Sequence, residues 1–342
     1  MKVLFLTKGN ESVGSSRWRV FRIVERLDVE ARILFDLGHP FWSMSYRRFQ
    51  NIQRVWRALA KRPDVIVVHK VFVAWEILFL VLVIKKIRGV PLIFDLDDAE
   101  WIHSPRKSVI LARSAAVVTG GSHEILEWAH RHARHVQFIP TAVDTSAYRP
   151  VVSEPGVLGW IGNGIAHMKA GNFTILKDAL EKLSDRGVAF SLVVIGSQQY
   201  GPLKDFFKQS DYRVTFVDDA PWALVETIPA LLAEYKIDIG LMPLVDTPFN
   251  RAKCAFKAIE YMACGIPTVS SDVGESRHVI DHGVNGFVAG DAEEFTEVLA
   301  RLVEDRALRS SMSVRARQKV EDAFSLDGIA QEFDAVLRSL GI

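Results

Sequence analysis

Short apolar runs alternate along the chain with longer stretches whose apolar residues recur at helical spacing. Residues 2–7, 65–68, 92–94, 116–119 and 136–139 are runs of strand length, and most are separated by segments long enough for a helix. Buried strands alternating with helices predict a parallel sheet covered on both faces. After Pro150 the rhythm restarts, with runs at 158–161, 190–195, 214–217, 237–242, 267–270 and 286–289. Residues 148–156 carry Pro150, Pro155 and Gly156 and no periodicity, and are predicted to link two domains. The expected fold class is therefore α/β, with one doubly wound parallel-sheet domain over 1–150 and another over 151–325. Such sheets bind ligands beyond the carboxyl ends of their strands, so residues just after strands are the candidates for function.

Composition narrows the function classes. Charged residues make up 24% of the 342 residues and the formal net charge is +1, which gives no whole-chain reason to expect nucleic acid. Any anion site must be local. Two cysteines, Cys254 and Cys264, form no disulfide framework of the secreted kind, and a reducing, cytoplasmic setting is the simpler reading. The apolar run after Met1 is too short for a signal-peptide core. Residues 71–84 are the most membrane-like stretch. Glu76 interrupts it and Lys85 and Lys86 stop it, short of the roughly 20 residues a span needs; a core helix is predicted. Over residues 46–62, Phe49, Ile52, Val55, Trp56 and Leu59 recur at helical spacing with basic residues between them. That helix either touches an anionic membrane surface or packs its apolar face on the sheet.

Four groups of residues carry candidate chemistry. Around 249–267, Phe256, Ile259, Tyr261, Met262 and Ala263 predict a largely buried helix, stopped by Gly265. Arg251 and Lys253 are expected at its N-terminus, where backbone N–H groups and the dipole favour an anion; the other reading is a solvated pair of cations. Lys257, one turn on, is expected to lie outside that contact. Glu260 sits among apolar neighbours and needs donors, either two ribose hydroxyls or a structural salt bridge. Gly162, Asn163 and Gly164 form a strand–turn–helix cradle for phosphate with Lys169 following, or else a generic turn with a surface lysine. Its spacing is neither that of a Walker loop nor that of a dinucleotide fingerprint. Gly196, after the 190–195 run, joins this donor-binding set. His69 ends a strand and is expected to face the cleft. Asp95, Asp97 and Asp98 either bind a divalent ion or, the reading preferred here, line the acceptor side or cap the segment from Glu100; no metal site is assigned.

Residues 238–244, 253–270 and 283–287 resemble the donor-binding region of retaining GT-B glycosyltransferases of family 4. Residues 136–144 resemble that family's run into the interdomain linker, and residues 14–20 resemble the first loop and helix of one branch. The resemblance implies two Rossmann-like domains facing across a cleft, the first on the acceptor side and the second binding donor, with a C-terminal helix over 326–342 crossing back to the first. It implies acceptor-side roles for Gly14, Ser15, Ser16 and Arg17 and places His69 near the reacting sugar. Lys253 and Lys169 fall to the donor diphosphate and Glu260 to the ribose. Two positions depart from the pattern. Asn163 stands where the family usually has an arginine, and Ala252 stands where the first of two glutamates would contact the sugar.

The activity implied is transfer of a hexose-like unit from a nucleoside-diphosphate sugar, such as a UDP- or GDP-sugar, to an acceptor hydroxyl. The acceptor would be a glycan, a lipid-linked molecule or a small molecule. The resemblance implies retention, no metal and no cofactor, a place in polysaccharide or glycan synthesis, and a cytoplasmic enzyme, peripheral at the inner face of the membrane if the 46–62 helix touches lipid. Two other readings stand beside it: a nucleotide-sugar epimerase of similar fold, and an inactive sugar-nucleotide-binding subunit.

Overall fold

The structure, a computed structural model, describes residues 1–38 and 46–341. It holds two all-parallel six-stranded sheets. The first comprises β1 (Lys2–Leu6), β2 (Glu30–Leu34), β3 (Val65–His69), β4 (Leu92–Leu96), β5 (Val117–Gly120) and β6 (Val136–Phe138), in the order β2-β1-β3-β4-β5-β6. The second comprises β7 (Val157–Ile161), β8 (Ser191–Ile195), β9 (Arg213–Val217), β10 (Ile239–Met242), β11 (Thr268–Ser271) and β12 (Gly286–Ala289), in the order β12-β11-β10-β7-β8-β9. In each sheet the chain steps outward from a central strand and then returns to that strand's other side. The reversal falls between β1 and β3 in one sheet and between β7 and β10 in the other, and these are the points where such sheets take ligands.

The central strands are apolar on both faces. Val65, Ile66, Val67 and Val68 are all buried, as expected of a parallel strand covered on two sides. In register, Phe5 pairs with Ile33 on one side and Val67 on the other. β2 was not among the predicted strands. It is an edge strand whose Glu30 and Arg32 interrupt the apolar run, and only Leu34 is buried.

The chain divides into two compact units: residues 1–142 with 252–254 and 326–342, and residues 143–251 with 255–325. The boundary thus precedes the expected position at residue 150. Residues after Ala142 are held by the second unit: Val143 N donates to Phe324 O (3.0 Å), and the buried Tyr148 donates its hydroxyl to Glu260 (2.7 Å). The terminal helix, Leu326–Ser339, belongs to the first unit. Its Ile329, Ala330, Phe333 and Leu337 share a core with Val3, Phe5, Val67 and Ile93. In the second unit Trp160, Phe173, Leu180, Leu241, Phe287 and Phe295 belong to a separate core.

The helix Trp75–Arg88 buries Ile77, Leu78, Val81 and Ile84 but exposes Trp75, Phe79 and Ile87. It is a one-faced helix rather than the core helix expected from its composition. Gly89 ends it in the left-handed conformation at φ 69°, which glycine adopts without steric cost. No helix among the described residues is long and apolar enough to cross a membrane.

Candidate functional site

In the first unit the site begins at the loop after β1. Ser16 Oγ accepts from Thr7 Oγ1 (2.9 Å) and from Gly9 N (3.2 Å), which fixes the loop's return into the helix starting at Gly14. Ser16 is buried, so it acts on the loop; Gly14 is exposed. The next turn, Arg17–Phe21, is a π-helix, a widening often found at functional sites. Arg17 is buried and donates to Glu11 O (3.2 Å).

Two residues on, Arg19 enters the core and forks onto Asp95, with Nε 2.9 Å from Oδ2 and Nη2 2.5 Å from Oδ1. Its Nη1 donates to Ile139 O (2.8 Å). Asp95 also accepts from Thr119 Oγ1 (2.6 Å) and meets His69 Nδ1 at 2.8 Å. Burial works against the Asp95 charge, but the Arg19 guanidinium prevails and holds the carboxyl well below the usual aspartate range. His69 is fully buried, and its Nε2 has no hydrogen-bond partner among the described residues.

A second charged group lies alongside. Lys70, in the left-handed region at φ 65°, places Nζ 2.9 Å from Asp97 and 2.6 Å from Asp98. Burial disfavours the Asp98 charge, yet Lys70 and then Lys253 hold that carboxyl low. The three aspartates are therefore matched with the chain's own cations, Asp95 with Arg19 and the other two with Lys70. Lys253 reaches this group because residues 252–254 pack with the first unit. Ser122 Oγ donates to Ala252 O (2.8 Å), and Cys254 Sγ lies 3.1 Å from Asp97 O. A Cβ on Gly121 would come within 2.5 Å of Cys254 Sγ and 3.0 Å of Arg19 Nη1, so this packing requires glycine there.

The expected placement of Arg251 and Lys253 at the start of the buried helix is not what the structure shows. Ala255 adopts the left-handed conformation at φ 49°, and the helix begins only at Phe256. Arg251 ends a separate short helix, Pro248–Arg251, and forks onto Asp246 at 2.6 and 2.8 Å. The basic residue in the first turn of the Phe256–Ala263 helix is Lys257.

In the second unit Lys257 lies against the glycine turn after β7. A Cβ on Gly162 would meet Lys257 Cε at 2.6 Å and Nζ at 3.2 Å. A Cβ on Gly196 would stand 2.1 Å from Gly162 O, and one on Gly164 would stand 2.8 Å from Gly196 O. The three glycines thus let two backbone turns close on each other. Asn163 caps the helix Gly164–Lys169, accepting from Ala166 N at 2.9 Å.

Lys169 is exposed in the last turn of that helix, and the inward residue is His167. His167 Nδ1 lies 3.2 Å from Asn172 Nδ2, and its Nε2 lies 3.1 Å from Lys257 Nζ. The amide orientation is fixed, because Asn172 Oδ1 accepts from Val245 N (2.9 Å) and from Asn250 Nδ2 (3.0 Å). The Lys257 ammonium and the His167 ring thus meet at the foot of the glycine turn. Glu260, expected to await ribose hydroxyls, is buried and takes its Oε1 donor from Tyr148.

Residues 155–305 match the model of the family described as glycosyl transferases group 1. Two solved structures align over almost the whole chain. Sucrose-phosphate synthase from Thermosynechococcus elongatus superposes with a TM-score of 0.75 at 13% identity, over 99% of both chains. HepE of Anabaena, solved with UDP and glucose, superposes with a TM-score of 0.73 at 20% identity, over 99% of this chain and 100% of that one. The fold is GT-B.

Among curated relatives, a capsular polysaccharide biosynthesis glycosyltransferase, CapM of Staphylococcus aureus, is 23% identical over 192 residues, covering 55% of this chain and 47% of that one. The chain spans less than half the length of the first curated relatives it matches: 21%, 31% and 47%.

Within this GT-B chain, Gly162, Asn163, Gly164 and Gly196 come together in the second unit. His69 and Asp95 meet in the first, where Asp97, Asp98 and Lys253 form the neighbouring group. Lys169 and Arg251 stand apart from the glycine turn's inner side, one exposed on the far turn of its helix and the other held by Asp246. Sequence reasoning missed Arg19, Lys70, His167 and Tyr148 and set Lys257 aside. A basic residue inside an apolar run was an available signal for Arg19, between Trp18 and Val20. Lys257 lies one helical turn before Glu260, which was also legible. Nothing local marked Tyr148.

Proposed function

We propose that this chain is a nucleotide-sugar-dependent glycosyltransferase that moves a hexose-like unit to an acceptor hydroxyl with retention and without a metal ion. The observation that carries the reading is the Lys257 ammonium packed against the Gly162–Gly164 turn, with His167 Nε2 3.1 Å from its Nζ. A lysine ammonium beside the backbone N–H groups of a glycine turn suits the oxygens of a diphosphate. The position lies beyond the carboxyl ends of β7 and β8, beside the strand-order reversal. The group 1 family match over 155–305 and the GT-B fold support the activity. The UDP held by HepE supports a uridine diphosphate donor as the first to test.

In this reading the bond from the sugar's anomeric carbon to the diphosphate oxygen breaks, and a bond from that carbon to the acceptor oxygen forms. The acceptor proton passes to the departing phosphate, which leaves a nucleoside diphosphate and a glycoside. Charge grows on the leaving group, and prepositioned cations and N–H groups stabilise it. Lys257 and His167 take that role, with Lys253 and Lys169 as outer contributors. In the second unit Glu260, held by Tyr148, is assigned to the ribose. The first unit takes the acceptor, a glycan or a lipid-linked molecule.

Ala252 supports a second reading. It is fully buried and offers no carboxylate to a sugar, as in a subunit that binds a sugar nucleotide without transferring it. Ligand-observed NMR with UDP- and GDP-sugars, followed by mass spectrometry of mixtures with candidate acceptors in EDTA, separates these readings. Binding with an acceptor-dependent product in EDTA supports transfer, binding without product supports the second reading, and no binding to any donor overturns both.

A further inference from the structure

The Phe256–Ala263 helix of the second unit is fixed from two directions. Tyr261 fills the space that a Cβ on Gly240 would need, which seats the helix against β10. Arg317, from the helix Arg306–Ala323, donates through Nη1 to the carbonyl of Ala263, the last residue of the Phe256–Ala263 helix. The same Nη1 donates to Tyr148 O, and Nη2 donates to Thr145 O at 2.8 Å. Val151 N adds a bond to Cys264 O at 3.1 Å. Residues 145–151 are thereby tied along the end of that helix, with the Tyr148 side chain enclosed at 1% exposure. Its hydroxyl donates to Glu260 Oε1 at 2.7 Å.

Lys257 and Glu260 stand three residues apart on this helix, ~4.5 Å along its axis. Lys257 lies against the Gly162–Gly164 turn. The order along the helix, ammonium then carboxylate, matches the order of phosphate then ribose in a nucleotide. A phenol O–H on a carboxylate is a charge-assisted bond, which fixes the plane of the carboxyl group and opposes its protonation. An ionised carboxylate offers acceptors only, and vicinal hydroxyls supply the matching donors. We infer that Tyr148 is a positioning residue: it orients the Glu260 carboxylate and so selects a donor whose ribose carries a 2′-hydroxyl over its 2′-deoxy counterpart. This selection requires that the second unit binds a nucleoside diphosphate, as proposed above. Ribonucleotide sugars are the donors favoured, and deoxythymidine diphosphate sugars are disfavoured. Tyr148 acts through Glu260, so its loss should be felt at the ribose hydroxyl. A tyrosine that only braced the fold would affect ribose and deoxyribose forms alike.

Calorimetry of the full chain with UDP and 2′-deoxy-UDP, and with GDP and 2′-deoxy-GDP, tests it. The parent should bind its better ribonucleotide about 10-fold or more tightly than the deoxy form, the worth of one hydrogen bond to a charged group. Tyr148→Phe keeps the ring and should lower that ratio to about 3-fold or less, with the deoxy form bound as by the parent. Glu260→Gln should lower the ratio as far, and adding Tyr148→Phe to it should change nothing further, because the two residues act through one contact. In turnover, Tyr148→Phe should raise the donor KM and leave kcat unchanged. Circular dichroism checks folding. Should Tyr148→Phe not fold, Arg317→Lys loosens Tyr148 without altering either partner of the bond and should lower the ratio in the same way. A parent that binds UDP or GDP no more tightly than the deoxy form overturns the inference and leaves the donor reading standing. So does a Tyr148→Phe protein that weakens both forms equally or keeps the parent's ratio. A parent that binds none of these nucleotides overturns both.

Discussion

Asp95 Oδ2 stands 2.8 Å from His69 Nδ1, and the same oxygen takes Arg19 Nε at 2.9 Å. A carboxylate held in its charged form accepts, so His69 carries a proton on Nδ1 and turns Nε2 away from the aspartate. Asp95 thus orients His69 and neutralises a buried guanidinium. Asp95→Ala should remove both effects. Leaving Arg19 buried without its partner should cost about 3–5 kcal/mol, seen as a lower denaturant midpoint. His69→Ala leaves the Arg19–Asp95 pair intact. It should lower kcat/KM by up to about 10-fold, the worth of one neutral hydrogen bond to substrate, with a smaller loss of stability. If Asp95→Ala is as stable as the parent, the pair contributes nothing to folding.

The parts of this structure legible in the sequence are those decided by local pattern. β1, β3, β4, β7, β8, β10 and β11 are buried parallel strands, so their apolar runs stand out. β2 escaped because an edge strand can carry Glu30 and Arg32 on its open sides. The parts not legible depend on single backbone angles or on contacts between distant residues. One left-handed residue, Ala255, delays the helix and detaches Lys253 from its start. The six-residue helix after Gly162 turns about 200° between positions 167 and 169, so His167 faces inward and Lys169 outward. Sequence spacing alone favoured the lysine. Tyr148 meets Glu260 across 112 positions of chain, which no motif marks.

Acid should unfold the protein through the same buried carboxylates. The folded-state pKa values of Asp95 and Asp98 are depressed, chiefly by Arg19 and Lys70 acting against burial. Depressed carboxyl groups stabilise the fold above their unfolded value of about 3.9 and lose that contribution as pH falls below it. The urea midpoint should therefore hold steady from neutral pH to about pH 5 and drop below about pH 4. Asp95→Asn should flatten that drop while lowering the neutral-pH midpoint; an unchanged acid slope would remove Asp95 from the account.

Both cysteines are buried, and burial together with the nearby Glu260 charge pushes the Cys264 thiol up to about 12. A raised thiol stays protonated in the folded state while the unfolded one ionises near 8.5. Stability from this group is complete below that value and declines as pH rises toward 12. Neither thiol should react with a disulfide reagent at pH 8 until denaturant is added. Rapid native labelling of Cys264 would contradict its packing.

Asn163 gives a test that separates a cap from a ligand. Its Oδ1 accepts from Ala166 N at 2.9 Å, so Asn163→Ala should cost about 1 kcal/mol of stability. Asn163→Asp keeps the cap and should restore stability, but it places a negative charge beside the glycine turn. If the turn holds a diphosphate, donor affinity should fall in Asn163→Asp while the thermal midpoint stays at or above that of the parent. Equal donor affinity in all three proteins would move the phosphates elsewhere.

Lys253 and Lys257 carry the sharpest test of where the diphosphate lies. They are four residues apart and have the same charge, yet the left-handed residue between them sends them into different surroundings. Lys253 adds to the cationic field on Asp98, beside Lys70. Lys257 sits under Gly162, 3.1 Å from His167 Nε2. A charge-assisted bond to a departing diphosphate strengthens as the leaving group gains charge, and losing one costs about 1.5–3 kcal/mol, or roughly 10- to 150-fold in kcat/KM. Lys257→Ala should fall in that range. Lys253→Ala should act mainly through Asp98: that carboxyl loses the lesser of its two cationic supports, and the kinetic loss should stay below about 5-fold. Stopped-flow measurement of both variants, with donor affinity by calorimetry, decides it. A larger loss from Lys253→Ala than from Lys257→Ala would place the diphosphate beside Lys253, as the sequence alone had suggested, and would leave the His167–Lys257 contact without a role in the donor site.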